Sequence, residues 1–255
     1  MKRRKFVQSS LVAASTMAAG TAIARPHEDD EKEIIELREY NMGWPGKLSQ
    51  LESYFQDALI PTMNRHGVKR VGVFSELGQS EPRKIYLLCS YPSYRAYGKI
   101  NAGIKKDAEY LKASESYHQL KEKVYDRIST QLMLAFDVMP AMKKVEGSKL
   151  FELRTYEGLN EDALRRKIKM FNKEELPIFL DTNLLPIFFG EVIAGKYEPC
   201  LTYMVGYKNM DERQAAWKAF LDHPEWKRIS GLEEYANTVS KIIKVFLEPM
   251  PYSQI

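Results

Sequence analysis

Two short segments carry the residues best suited to chemistry. Glu36, Arg38 and Tyr40 alternate along one run, and Glu152, Arg154 and Tyr156 alternate along another, 116 residues further on. A carboxylate, a guanidinium and a phenol at a spacing of two share one face of a β-strand. Such a trio can hold an anionic or carbonyl group on arginine beside a hydrogen-bonding phenol. It can equally close on itself, because buried charge must be paired. With Ile35 and Leu37 turned toward helices, both trios are expected to face the inside of a barrel and to line one shared cavity. The alternative is a set of salt bridges that locks two halves together.

Other residues add less. Trp44, just after the first trio, is placed to cover a barrel mouth. His66 follows Arg65 at a predicted helix end, which suits a C-terminal cap and leaves room for an acid–base or ligand role. Trp217 and Trp226 read as helix-packing residues. The remaining histidines, His27, His118 and His223, are scattered, and no spacing matches a zinc or calcium site. Gly43-Trp44-Pro45-Gly46 lacks the lysine and spacing of a phosphate loop. There is no Gly-x-Ser-x-Gly elbow. The candidate ligand-binding residues are therefore Glu36, Arg38, Tyr40, Trp44, His66, Glu152, Arg154 and Tyr156. The sequence identifies no catalytic group, no metal site and no cofactor.

The elements that must position these residues come twice. The 116-residue offset that joins the two trios also takes Pro61 to Pro177, Tyr91 to Tyr207 and Tyr110 to Trp226. Each copy reads strand, helix, strand, strand, helix, strand. In the first copy, Ile34–Tyr40 alternates as a half-buried strand. Leu48, Leu51, Phe55, Leu59 and Met63 recur at helical spacing, with a kink at Pro61 and a stop at His66-Gly67. Val68–Phe74 and Lys84–Tyr91 form a hairpin, residues 93–125 a polar helix, and Leu132–Val138 the closing strand. In the second copy, Asn160 starts a helix whose stripe is Leu164, Ile168 and Phe171. Ile187–Val192 and Leu201–Tyr207 are the middle strands, Asp222-His223-Pro224-Glu225 is a helix cap, and Ile242–Leu247 is the last strand. This is the ferredoxin-like β-α-β-β-α-β unit. The predicted fold class is α+β: two such units, 34–140 and 148–249, fused as an intramolecular dimeric α/β barrel.

Composition narrows the setting. The 255 residues hold 38 Lys and Arg against 34 Asp and Glu, a net charge of +4. Lys2, Arg3, Arg4 and Lys5 supply that whole excess, so the chain beyond them is neutral and lacks the basic face of a nucleic-acid binder. The twin arginines, the weakly apolar run 11–24 and the small residues Ala22 and Ala24 predict a Tat signal over 1–24. A flexible leader over 25–33 follows, and the address is periplasmic or secreted. No stretch of the mature chain is apolar enough to span a membrane. Cys89 and Cys200 each sit in an apolar run and are read as buried free thiols.

The paired Glu-Leu-Arg-x-Tyr strands, the Pro-kinked helix ending in His66-Gly67 and Asp222-His223-Pro224-Glu225-Trp226 together resemble the NIPSNAP family, over roughly 34–249. The resemblance implies a dimeric α+β barrel and settles no activity. Arg65-His66-Gly67 in one copy stands against Asp181-Thr182-Asn183 in the other, so any site is asymmetric. Three functions compete. One is an exported barrel binding a small molecule. Another is a cofactor-independent monooxygenase- or isomerase-like enzyme using Arg38, Tyr40 and His66. The third is an interaction scaffold with an exposed apolar patch. The partners expected are a small-molecule ligand and no nucleic acid, with homo-oligomer formation left open.

Overall fold

The computed structural model describes residues 32–43, 47–78 and 82–255. Strand β1 (Ile34–Asn41) is followed by helix α1 (Leu48–Tyr54), which runs through a π turn (Phe55–Leu59) into α2 (Ile60–Arg65). The π turn ends two residues before Pro61. Proline lacks a donor and its ring crowds the carbonyl four residues back; a wider turn there relieves both conflicts. His66 ends α2, and Gly67 follows at φ 98°, the left-handed position that closes helices.

Strands β2 (Val71–Glu76) and β3 (Lys84–Tyr91) form the hairpin, and α3 (Tyr94–Ile104), α4 (Ala108–Ala113), α5 (Glu115–His118) and β4 (Arg127–Ala135) complete the first half. The single long helix expected over 93–125 is three short ones. Asp107 interrupts it by accepting a hydrogen bond from Tyr110 N at 2.8 Å and so capping a new start. The closing strand begins at Arg127, not Leu132, because its polar first residues pair with Asn41 through Leu37 of β1.

The second half runs β5 (Leu150–Gly158), α6 (Glu161–Met170), a second π turn (Phe171–Glu175), α7 (Leu176–Asp181), β6 (Leu185–Ala194), β7 (Cys200–Tyr207), α8 (Met210–Asp222), α9 (Pro224–Ser230) and β8 (Val239–Pro249). The 116-residue offset carries the first π turn, α2 and β3 onto the second π turn, α7 and β7 with identical bounds. Asn160 caps α6 by accepting from Ala163 N at 2.9 Å.

All eight strands close one antiparallel barrel in the order β1-β3-β2-β8-β5-β7-β6-β4, with β4 returning to β1. The halves meet where β2 pairs with β8 and where β4 pairs with β6. The barrel interior holds an apolar core to which Ile35, Leu37, Phe74, Phe151, Leu153 and Phe188 contribute from both halves. The outer faces are covered by helices: Phe55 and Leu59 pack on Val73, Leu87 and Tyr91, and Phe171 and Phe179 pack on Phe189, Tyr203 and Tyr207. Cys89 and Cys200 are buried free thiols. The signal and leader predicted over 1–33 fall almost wholly outside the described residues. Among the described residues no helix is long and apolar enough to cross a membrane.

Candidate functional site

Strand parity holds, but the predicted face is inverted. Ile35 and Leu37 point into the barrel, whereas Glu36, Arg38 and Tyr40 pair with Cys89, Leu87 and Ile85, which pack under the helices. Glu152, Arg154 and Tyr156 do the same in the second half, opposite Val205, Tyr203 and Leu201. The two trios therefore share no cavity. The physical reason is that a closed eight-stranded barrel has an interior just wide enough for side chains, and Ile35, Leu37, Phe151 and Leu153 already fill it beside the trios. The assumption that apolar residues turn toward helices fails here because both faces of this sheet are buried.

In the first half the trio is closed. Arg38 donates from Nε and Nη2 to the two oxygens of Glu36 at 2.9 and 2.8 Å, and Tyr91 donates to Glu36 at 2.8 Å. Tyr40 packs edge-on against Phe55 and Tyr125. His66 lies elsewhere, at the end of α2, with Nε2 3.0 Å from Asp107 Oδ2. That is the helix-end position with an added hydrogen-bond partner. Trp44 lies outside the described residues.

In the second half Arg154 and Tyr156 of the trio border a cavity of about 480 Å³ between the sheet and α6, α7, α8 and α9. Its floor holds Arg154, Lys167, Glu175 and Tyr203, all buried. Its walls include Phe179, Trp217, Phe220 and Trp226, and its rim carries the exposed Leu221, Ile242 and Lys244. Beneath the floor, Glu152 accepts from five donor atoms, the most distant being Tyr207 Oη at 3.5 Å. Arg154 Nη1 reaches it at 2.6 Å, Arg213 at 2.9 and 3.1 Å, and Trp217 Nε1 at 3.0 Å. Burial alone would raise the Glu152 carboxyl, but Arg213 and Arg154 hold it below the ordinary glutamate range. Arg154 Nη2 donates to Tyr156 Oη at 3.0 Å, and Tyr156 meets Tyr203 hydroxyl to hydroxyl at 2.9 Å. Arg154 Nε is buried and has no hydrogen-bond partner among the described residues. The same guanidinium lies 4.3 Å from the ring of Trp217.

The floor also contains an ion pair that strand reading missed. Lys167 of α6 donates to Glu175 of the second π turn, both side chains being almost wholly buried. The Lys167 ammonium lies among the rings of Phe171, Trp226 and Tyr156, at 4.8, 5.5 and 5.8 Å. Burial pushes the Glu175 carboxyl up, against the opposing pull of Lys167. The signal was present in the chain: at the 116-residue offset Lys167 answers Leu51 and Glu175 answers Leu59, two apolar stripe positions turned charged. Trp217 and Trp226 do pack helices, Trp226 lying 4.6 Å from Phe220, but both also wall the cavity. Another hollow, of about 360 Å³, lies over α1 and α5 beside Ser49, Ser53, Tyr54 and Tyr117 and contains no buried charge. Among the described residues no group of three or more His, Cys, Asp or Glu side chains is arranged to hold a metal ion.

The closed barrel with helices outside defines an α+β protein of the dimeric α+β barrel class, with both barrel halves in one chain. A candidate monooxygenase from Lactobacillus acidophilus NCFM shares this fold at 12% identity and TM-score 0.56, covering 86% of this chain and 94% of its own. A candidate monooxygenase from Fusobacterium nucleatum subsp. nucleatum does so at 8% identity and TM-score 0.56, covering 89% and 97%. An uncharacterised NIPSNAP-like domain protein from Burkholderia xenovorans is 19% identical over 42% of this chain and 90% of its own, with TM-score 0.38. No curated protein matches. Residues 151–254 match the NIPSNAP family model, and every residue lining the 480 Å³ cavity falls within that match.

Proposed function

We propose that the second half binds a small organic anion with a flat apolar body, seated under α8 and α9. The observation that carries this reading is Arg154: a buried guanidinium with one donor left unsatisfied, on the floor of an aromatic-walled cavity. Arg154, Lys167, Arg213 and Lys244 outnumber Glu175 and the underlying Glu152, so the site favours negative charge. Trp217, Trp226, Phe179 and Tyr203 offer ring faces to a planar body. The volume suits a ligand of modest size. The likeness to candidate monooxygenases speaks for the fold and carries no reaction to this chain.

The test uses the two cavity tryptophans as reporters. Aromatic carboxylates are expected to quench their fluorescence and to raise Tm; at a hundredfold excess over Kd the stabilisation is about 2.7 kcal/mol. The matching neutral amides are expected to do neither, and Arg154→Met should abolish both responses. Equal response to acids and amides, or none to either, would overturn the reading. The wider setting is proposed with it: the chain is a tandem duplication of one unit, exported through the twin-arginine route and cut after Ala24. Mass measurement of the exported chain tests the cut.

A further inference from the structure

We infer that this cavity is a proton-transfer site in which Glu175 removes a proton from the carbon beside the carbonyl of an aromatic oxo acid. The inference rests on the cavity binding aromatic anions and adds what happens to them there.

Three observations support it. The first is that the fold does not require the ion pair. Leu51 and Leu59 occupy the corresponding stripe positions in the first half, both buried, in helices with the same bounds from the π turn through α2. A buried ion pair is commonly no better for stability than apolar side chains of similar size, so a fold that accepts two leucines there gains nothing evident from lysine and glutamate. The second is position. Glu175 lies on the cavity floor, where a bound ligand meets it. The third is the charge around it. Arg154 and Arg213 can hold a carboxylate, and the Lys167 ammonium beside Glu175 can hold an oxygen that becomes negative.

The chemistry balances without an oxidant. The C–H bond breaks and its proton goes to a Glu175 oxygen. Its electron pair forms the new C=C bond, while the carbonyl π pair moves onto oxygen, which becomes an enolate held by Lys167. Return of the proton to carbon restores the oxo acid; its return to oxygen gives the enol. Lys167 is thus both a neighbour that orients the base and a contact for the enolate. Burial favours the base role as well, since a carboxyl pushed above its ordinary range takes up a proton more readily.

Phenylpyruvate in D₂O is the probe. Tryptophan quenching reports its binding, and loss of the benzylic proton NMR signal reports exchange. The wild-type chain is expected to accelerate exchange over buffer. Glu175→Gln should bind phenylpyruvate within a few-fold of wild type and lose at least about a hundredfold in exchange rate. The double substitution Lys167→Leu, Glu175→Leu installs the residues of the other half and should stay folded while losing exchange. Quenching without exchange, or full exchange in Glu175→Gln, would overturn proton transfer and leave the binding reading standing. Absence of quenching by every aromatic acid would remove both.

Discussion

The two halves of the barrel have the same elements at nearly the same places and opposite interiors beneath their helices. In the first, Glu36 has one arginine, and Leu51, Leu59 and Tyr40 fill the space between helix and sheet. In the second, Glu152 has two arginines, and a charged pair stands where the leucines would be, under a cavity. At the stripe positions the first half shows what this fold does when only packing is at stake. Wherever the second half departs from it by burying charge, stability alone does not account for the choice. Such a control for the cost of a site is seldom found within one chain.

The largest expected effect tests the carboxylate beneath the cavity. Glu152→Gln leaves Arg154 and Arg213 facing a neutral group in a buried setting, and should cost about 3–5 kcal/mol in urea unfolding. Glu36→Gln should cost less, about 1–3 kcal/mol, because Arg38 retains some solvent contact and no second arginine is stranded. The Glu152 effect has a defined pH window. Its carboxyl is lower in the folded chain than the ordinary 4.5, so its contribution is complete above that value and is lost as pH falls below it. Equal losses from the two substitutions would break the contrast between the halves.

A smaller effect, of opposite sign, comes from exchanging the stripe residues. Lys167→Leu with Glu175→Leu should leave stability unchanged or raise it by about 1–4 kcal/mol, since the desolvation cost of both charges disappears. The reverse exchange, Leu51→Lys with Leu59→Glu, should lower stability, because both positions are buried in the apolar cluster of the first half and the two charges would lose their hydration there. Both are read from the midpoint of denaturant unfolding at constant m. A marked loss on installing the leucines would make the ion pair structural and weaken the case for a site.

These contrasts mark where the chain was legible and where it was not. The barrel followed from spacing: alternation in β1 and β5, helical stripes in α1 and α6, and prolines at matching positions fixed the element order. The trio residues were found from local pattern, but their direction was not, because a strand buried on both faces gives parity without saying which side is inside. Lys167 and Glu175 are hidden in an amphipathic helix, where a lysine in the stripe looks like an irregularity until Leu51 is set beside it. Arg213 and Trp217 reach the site from α8, about 60 residues along the chain, and only the closed fold brings them to Glu152. His66 reads from the sequence as a helix-end residue and follows α2, whereas its partner Asp107, inside the predicted helix 93–125, starts a helix of its own.

The smallest effect lies at that cap and tests the contrast away from the cavity. In the first half Arg65 and His66 face Asp107, with Arg65 at 2.8 Å. At the same offset the second half has Asp181 near His223, so the acidic and basic side chains trade places and the gap widens to 3.9 Å. The Asp107 carboxyl is held down to about 2, by the backbone N–H of Tyr110 first and then by His66 and Arg65. Since it titrates near 3.8 when unfolded, its stabilising contribution is complete above that value and disappears as pH falls toward 2. Asparagine caps helices as well as aspartate does, so Asp107→Asn isolates the charge from the cap. The gap in stability between wild type and Asp107→Asn should therefore close across that acid window. His223→Asn, which removes no carboxylate, should leave the acid limb where it is. If the two substitutions move that limb equally, the charge reversal at the caps has no energetic meaning, and the difference between the halves narrows to the cavity alone.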